Sequence, residues 1–515
     1  MQAIRGGYSG IMIRHVLANN HLMDKEDFDP TKPEVYIIYV DANNLYGWSM
    51  SQKLPYSDFR ELTKEELDML NGLNDEGLIA FLETLDEHDE GMYFEVKLKY
   101  PEELHDKHNL YPLAPERRPV KKEEVSYFTK ELNEKLKVKV DTKTPMLLQT
   151  LEDKDHYFVY WKNLLFYLKH GMKVETIYSG VIFREYPIMR AYIMLNTELR
   201  NAKDATELAK ILYKLLNNSI YGKTFENPMK YAILVMLSTA TAFMRAAAKP
   251  GFDGTVYVQD DFAMAKMLYE TVKYEKPLYL GATITELAKL HMFEFYYDVL
   301  QDYFTGDKKC ELAFTDTDSM ILKVTTHDIY EDIAKINEKY GCPIDVSSFD
   351  PKIVEKYKIR RDNDKVIGAF KSETGSDQIA EFVGLRAKMY SYTIYGDEGT
   401  KHMRAKGVAK SSMNMLSHQN YLRCLFGYEN PENARQTITM RSIRSKKHNL
   451  MSIEAQKFGL SCNDTKRYII PCGAETNVGT LAFGHKRIKE YEAEKQIKPP
   501  ETEPFTPKKK RRKVN

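Results

Sequence analysis

Three groups of residues in this sequence could do chemistry. The first is Asp41, which ends the run Glu34 to Val40 (EVYIIYV). That run is apolar, β-branched and tyrosine-rich, and it reads as a buried strand. An acid at a strand's end is held rigidly while its carboxylate reaches a cleft, although such an acid is more often a plain turn residue. The second is Phe314-Thr315-Asp316-Thr317-Asp318-Ser319, between apolar runs at Glu311 to Phe314 and Met320 to Val324. This spacing predicts a β-hairpin with two carboxylates at its tip. Like charges that close repel one another, and a hard cation such as Mg2+, which prefers oxygen ligands, removes the cost. The competing reading is a solvated acidic turn. The third is a helix ending at Tyr221 and Gly222. At about 100° per residue, Lys210, Lys214, Asn218 and Tyr221 share one stripe. Two lysines, an amide and a ring suit a nucleoside triphosphate, whereas a bland amphipathic helix would hold the same lysines in water.

These groups need elements to position them. The helix is predicted from Asp204 to Tyr221, with Asp204 and Glu207 as a capping box and Gly222 as its stop. Ile211, Leu212, Leu215 and Leu216 would form its core face. A second helix is predicted from about Thr283, with Glu286 in the box position and Leu287, Leu290 and Phe293 toward a core. Between Pro55 and Gly91 the chain is polar and acidic, as short surface helices are. Met92 to Tyr100 alternates like a strand, and the segment on to Arg118 reads as a loop.

Composition narrows the class. A chain of 515 residues with 43% hydrophobic and 12% aromatic content is globular and long enough for several cores. A net charge of +1 says nothing of nucleic acid in bulk, so any such partner needs local basic clusters. Five cysteines without a C-x-x-C pair indicate neither zinc nor disulfides. No apolar run approaches the ~20 residues of a membrane helix, and no signal peptide is evident, so no membrane partner is expected. Pro507 to Val514 (PKKKRRKV) resembles the import signal of a viral large T antigen and implies a nuclear import receptor and nuclear localisation. Without it the expectation is cytoplasmic. From His485 onward the chain is charged and proline-bearing, and reads as disordered.

Taken together the three groups resemble the motifs of family B DNA polymerases. Asp41-x-x-Asn44-Leu45-Tyr46-Gly47 is similar to their first motif, D-x-x-S-L-Y-P. Lys214-x-x-x-Asn218-Ser219-x-Tyr221-Gly222 is similar to the second, and Asp316-Thr317-Asp318-Ser319 to the third. Lys388-Met389-Tyr390 resembles the K-x-Y motif and Lys406-Gly407-Val408 a thumb-side K-G motif. YPEELHDKHNLYPLAPE (Tyr100 to Glu116) and NDTKRYII (Asn463 to Ile470) resemble the protein-primed branch of Polinton-type transposons and related viruses. The resemblance spans about residues 1 to 488. It departs from the family at Asn44 for serine, Gly47 for proline and Phe314 for tyrosine, none of which removes a carboxylate.

The resemblance implies an α/β (α+β) right-hand fold of palm, fingers and thumb, with an antiparallel palm sheet backed by helices. The palm would take residues 1–60 and 275–404, with a palm-associated connection at 151–185 and fingers at 186–225. The thumb would take 405–485, and 486–515 would be a tail. Residues 61–150 and 226–274 would be insertions that grip a terminal protein and DNA. It further implies two Mg2+ ions, replaceable by Mn2+, on Asp41, Asp318 and the Ala42 carbonyl, with Asp316 beside them as a ligand or a supporting acid. Lys210, Lys214 and Asn218 would hold the triphosphate, aided by N–H groups of Asn44 and Leu45 and by Arg200 or Lys203. Tyr46 would be the steric gate against ribose, with Tyr221 beside it. Thr317, Lys388 and Tyr390 would steady the primer terminus. Lys406, Lys410, Arg441, Arg444, Lys446 and Lys447 would meet DNA phosphates.

The implied partners are template-primer DNA, deoxynucleoside triphosphates, a terminal protein primer and a separate exonuclease chain. The last follows because the 40 residues ahead of Asp41 are too few for the family's editing domain. An inactive DNA-binding relic, or a reverse transcriptase sharing the palm, remain as other readings. Adjacent acids in the hairpin would mark a reverse transcriptase, whereas here Thr317 separates them. With a 3′-mismatched, 5′-labelled primer, Mg2+ and no nucleotides, the chain is expected to leave the primer intact. Shortening that survives Asp318→Ala would reveal a second nuclease site.

Overall fold

The computed structural model describes residues 4–227, 233–269, 271, 273, 275–397, 399–428, 430–446, 449–470 and 479–497; residues 431, 446 and 494–497 are described by backbone alone. The import-signal stretch at Pro507 to Val514, Lys447 and the side chain of Lys446 lie outside the description. The architecture mixes helices with mainly antiparallel sheets, as expected. Contacts divide the chain into two units, one of residues 1–193, 282–438 and 458–515, the other of residues 194–281 and 439–457.

The first unit is built on a six-stranded sheet. Its strands run in the order Ser9–Ile11, Lys309–Asp316, Ser319–Thr325, Val35–Ala42, Phe370–Ser372, Ile344–Asp345. The central strands are covered on both faces, because successive side chains point opposite ways and the neighbours Tyr36 and Ile37 on Val35–Ala42, and Ile321 and Leu322 on Ser319–Thr325, are all buried, as are Leu312 and Phe314 on Lys309–Asp316. One face meets a four-stranded sheet core through Phe382, Tyr390 and Tyr392, which cluster with Phe314, Ile321 and Ile37. The hairpin and the Asp41 strand thus lie where the sequence puts them. Ser9–Ile11 was not foreseen; it pairs with the hairpin over Ser9↔Asp316, Gly10↔Thr315 and Ile11↔Phe314.

Several expected boundaries are redrawn. Strands Leu54–Glu61, Lys173–Tyr186, Glu90–Lys99 and Lys154–Tyr160 form one sheet, which takes strands from both sides of residue 150. The long Lys173–Tyr186 strand is central and pairs on both sides. Residues 54–61 are a strand and not part of a surface helix. The segment up to Arg118 contains a helical turn at His105–His108. The second helix begins at Leu278, placing Thr283 inside it; that hydroxyl meets Tyr93 at 2.9 Å instead of capping. Leu287, Leu290 and Phe293 are buried as expected. A helix also runs over Arg487–Ile497, which corrects the disorder expected there: its Ile488 and Tyr491 pack against the Val120, Leu148 and Phe483 cluster, while residues 498–515 lie outside the described residues. Two apolar side chains on one face suffice to dock an otherwise charged segment. No helix among the described residues is long and apolar enough to cross a membrane.

In the second unit, Ile233–Leu237, Phe262–Met267 and Phe252–Gln259 form a three-stranded sheet under the helix Ala240–Ala247. The motif helix runs from Glu207 to Thr224. Thr206, not Asp204, caps it by accepting from the Ala209 N–H, and Gly222 lies within its last turn. Of its expected core face Leu216 is half-buried, while Ile211, Leu212 and Leu215 are exposed. Instead Asn217 and Thr224 are buried and Ala209, Lys210, Tyr213, Leu216, Ile220 and Tyr221 half-buried, all within about 140° of arc. Asn196 donates to the Asn217 side chain at 2.9 Å in a buried amide pair. A buried amide needs such a partner, and this pairing ties the helix to Asn196. Asn217→Ala is therefore expected to cost about 1–3 kcal/mol by stranding the Asn196 amide. Ile211→Ser should stay within about 0.5 kcal/mol of the parent. Denaturant unfolding of the two variants checks this order.

Candidate active site

The strand pair that holds the acids is set by register. Asp41 lies directly opposite Ser319, and the Ala42 N–H donates to the Asp318 carbonyl at 2.7 Å. Asp41 and Asp318 are thereby neighbours across one ladder. On its other side Asp41 faces Lys371. The hairpin turn closes with Thr317 in the left-handed region at φ 66°. Its N–H donates to the Tyr8 carbonyl at 2.8 Å, and the Asp318 N–H to the Asp316 carbonyl at 2.7 Å. A Cβ on Gly7 would lie 2.4 Å from the Thr317 side chain, so the N-terminal segment can lie against the tip only as glycine.

The electrostatics follow from this packing. Burial pushes the Asp318 carboxyl above its usual range, with the charges of Asp316 and Glu373 adding to the shift; its own backbone N–H and Lys388 oppose it. Lys388 forms an ion pair with Asp316 at 2.9 Å. Lys388 sits in the tight turn before Met389–Ile394 at φ 60°, and the Lys406 N–H donates to its carbonyl at 3.1 Å. Lys466 donates to the Ser9 carbonyl at 2.6 Å. Burial lowers its ammonium, as do Lys388 and Lys406, against the pull of Asp464 and Asp316. The hairpin tip is thus an acidic centre rimmed by lysines. Crowded, partly desolvated carboxylates suit a divalent cation, which would remove the repulsion that raises Asp318.

The residues after Asp41 lead into the helix Leu45–Met50, with Asn44 at its start in the left-handed region (φ 45°, ψ 56°). A Cβ on Gly47 would meet the Asn44 side chain at 2.1 Å, so glycine follows from this turn. Asn43 donates to Asp345 at 2.6 Å and its N–H to Ala369 at 2.9 Å, fixing the turn from the next strand. Leu45 is buried and Tyr46 half-buried. The first N–H groups of any helix lack intrahelical partners, which is what a phosphate would use.

Of the residues expected to act together, the structure gathers Asp41, Ala42, Asp316, Thr317, Asp318, Lys388 and Lys406 in the first unit. Tyr390 is 5% exposed, its ring in the core against Phe314 and its hydroxyl 3.1 Å from that of Tyr39. The strand's alternation turns the ring inward, where it braces the hairpin from behind. In the second unit, Lys210, Lys214, Asn218 and Tyr221 line the motif helix, with Lys210 paired to Glu207 at 2.8 Å. Arg441 and Arg444 lie on the ribbon of strands Arg435–Lys446 and Asn449–Ser461, Arg441 paired with Glu454 at 2.9 Å. Sequence reasoning missed Glu373, Lys371 and Lys466. Only Lys466 carried a signal, as part of NDTKRYII. That stretch meets the other signature stretch directly: Arg467 donates to the Asn109 carbonyl at 2.7 Å.

Residues 28–300 match the family model described as DNA polymerase type B, organellar and viral. That is more than half of the chain, and the protein belongs to this family. The match takes in Asp41 and the motif helix and stops before the hairpin. No curated protein matches the sequence. Among solved structures it is similar to phi29 DNA polymerase with primer-template DNA in a post-translocation binary complex, at 15% identity and TM-score 0.46, over 89% of this chain and 61% of that one. It is also similar to the phi29 ternary complex with incoming nucleotides, at 14% identity and TM-score 0.44, over 90% and 61%. The chain thus spans about three-fifths of the length of these relatives.

The raised Asp318 has a measurable consequence. A carboxyl held above its ordinary range binds its proton more tightly in the folded state, so its charge costs stability at neutral pH. That cost fades as pH falls to about 4, where the unfolded group also protonates. In metal-free buffer Asp318→Asn is expected to melt above the parent at pH 7.5, with the gap closing toward acid. Equal melting points across that range would show that Asp318 carries no such penalty.

Proposed function

We propose that this chain adds deoxynucleotides to a primer 3′-hydroxyl on a DNA template. The observation that supports it most is that Asp41 stands opposite Ser319, directly after the Asp316-Thr317-Asp318 tip, with the Ala42 N–H bonded to the Asp318 carbonyl, within a family B chain. Asp41 and Asp318, with the Ala42 carbonyl, would hold two divalent cations of the Mg2+ kind. When bound, these supply charge for the attacking hydroxyl and the triphosphate in in-line phosphoryl transfer.

The chain's own residues do the rest. Lys388, paired with Asp316, is positioned at the hairpin to meet a primer phosphate, together with Thr317 and Lys406. Lys210, Lys214 and Asn218 hold the triphosphate by charge and hydrogen bonds, helped by N–H groups at Asn44 and Leu45. Tyr46, in the first turn after Asp41, excludes a ribose 2′-hydroxyl by volume, with Tyr221 beside the base. Arg441, Arg444, Lys446 and Lys447 add phosphate contacts. A protein primer is the natural substrate for the joined Tyr100–Glu116 and Asn463–Ile470 stretches, and Pro507 to Val514 directs the chain to the nucleus.

Primer extension on a defined DNA template with Mg2+ tests this. Asp41→Ala or Asp318→Ala should lower incorporation by at least about 100-fold, as the loss of a main transition-state stabiliser does, while DNA binding persists. Incorporation near the parent level in either variant would end the assignment. A relic would show no extension, and a reverse transcriptase would favour an RNA template. Tyr46→Val should admit ribonucleotides, measured as the ratio of kcat/KM for dNTP over rNTP; an unchanged ratio would move the gate to Tyr221.

A further inference from the structure

At the opposite end of the strand that carries Asp41, three side chains converge. His21 Nδ1 meets the Glu34 carboxylate at 2.7 Å, and His327 Nδ1 meets its other oxygen at 2.7 Å. The three donor atoms lie within 4.8 Å of one another. Their positions are set by backbone ladders. Asn19 and Val35 exchange hydrogen bonds of 2.9 and 2.7 Å, and the Thr326 N–H donates to the Glu34 carbonyl at 3.2 Å. The His21 N–H steadies the carboxylate at 3.2 Å, and the buried Tyr36 hydroxyl donates to the His327 carbonyl at 2.8 Å. Both histidines are exposed and Glu34 is half-covered, so an ion has open access.

We propose that His21, Glu34 and His327 form a zinc site, distinct from the acidic centre. Two imidazoles and one carboxylate select zinc over magnesium, which favours an all-oxygen shell. Solvent supplies the fourth ligand. Each Nδ1 gives up its hydrogen and the ring's exposed Nε2 carries it in the other neutral tautomer, so a neutral ring loses no net proton. Zn–N and Zn–O bonds of about 2.0–2.2 Å in a tetrahedron set the donors about 3.3–3.5 Å apart, so the two 2.7 Å histidine–carboxylate contacts open slightly to admit the ion, and His327, 83% exposed in its side chain, has the freedom to shift. The bound ion would staple the start of the Asp41 strand to the loop that follows the hairpin.

The site is tested on the full chain, stripped with chelator and titrated calorimetrically with ZnCl2 in excess MgCl2. One zinc per chain is expected, with affinity weakened at least about tenfold by His21→Ala or His327→Gln and unchanged in Asp41→Asn/Asp318→Asn. Replacement by Co2+ should give visible absorption that the same histidine variants lose. Both variants should extend primers normally without zinc, which also verifies their folding. No zinc uptake by the parent, or uptake that survives His21→Ala/His327→Ala, would overturn the site and leave a hydrogen-bonded trio only.

Discussion

The register between Val35–Ala42 and Ser319–Thr325 is what the chemistry of this protein depends on. Seven residue pairs, from Val35↔Thr325 to Asp41↔Ser319, fix which residues stand beside which. Because side chains alternate along a strand, a slip of one residue would turn Asp41 to the other face. The slip is prevented by the buried residues of both strands, whose aromatic and aliphatic side chains fill one core with Phe382 and Tyr390. Packing that holds no charge thus decides where the charges stand.

The tip of the hairpin is costly on its own terms. It asks Thr317 to adopt a left-handed backbone and Asp318 to keep a charge among other acids in a partly dry place. Strain and repulsion of this kind persist only where surrounding structure over-determines them. Here the supports are specific: the Tyr8 carbonyl takes the Thr317 N–H, Gly7 clears space for its side chain, and Lys388 pairs with Asp316. The N-terminal strand is therefore part of the acidic centre's scaffold.

The parts legible in the sequence were those whose signals are local. The Asp41 strand and the hairpin announce themselves by short apolar runs bounded by turn residues, and their acids by spacing. The N-terminal strand was hidden because its partner lies some three hundred residues away and it is only three residues long. The motif helix was placed well but turned wrongly: a rule that buries Ile211 and Leu215 could not foresee that Asn217, bonded to Asn196, is covered instead. The motif that marks Tyr390 could not show that its ring packs in the core behind the hairpin. Lys371 and Glu373 have no motif at all, and become visible only once Phe370–Ser372 pairs with the Asp41 strand.

The central claim is that Asp41 and Asp318 jointly hold the divalent ions of a polymerase centre. Crystals grown with primer-template DNA, a non-hydrolysable deoxynucleotide and MnCl2 test it most directly, because manganese is located by its anomalous scattering. The account predicts manganese bound by both carboxylates beside the nucleotide's triphosphate. Triphosphate-bound manganese with neither carboxylate in its coordination shell would contradict it.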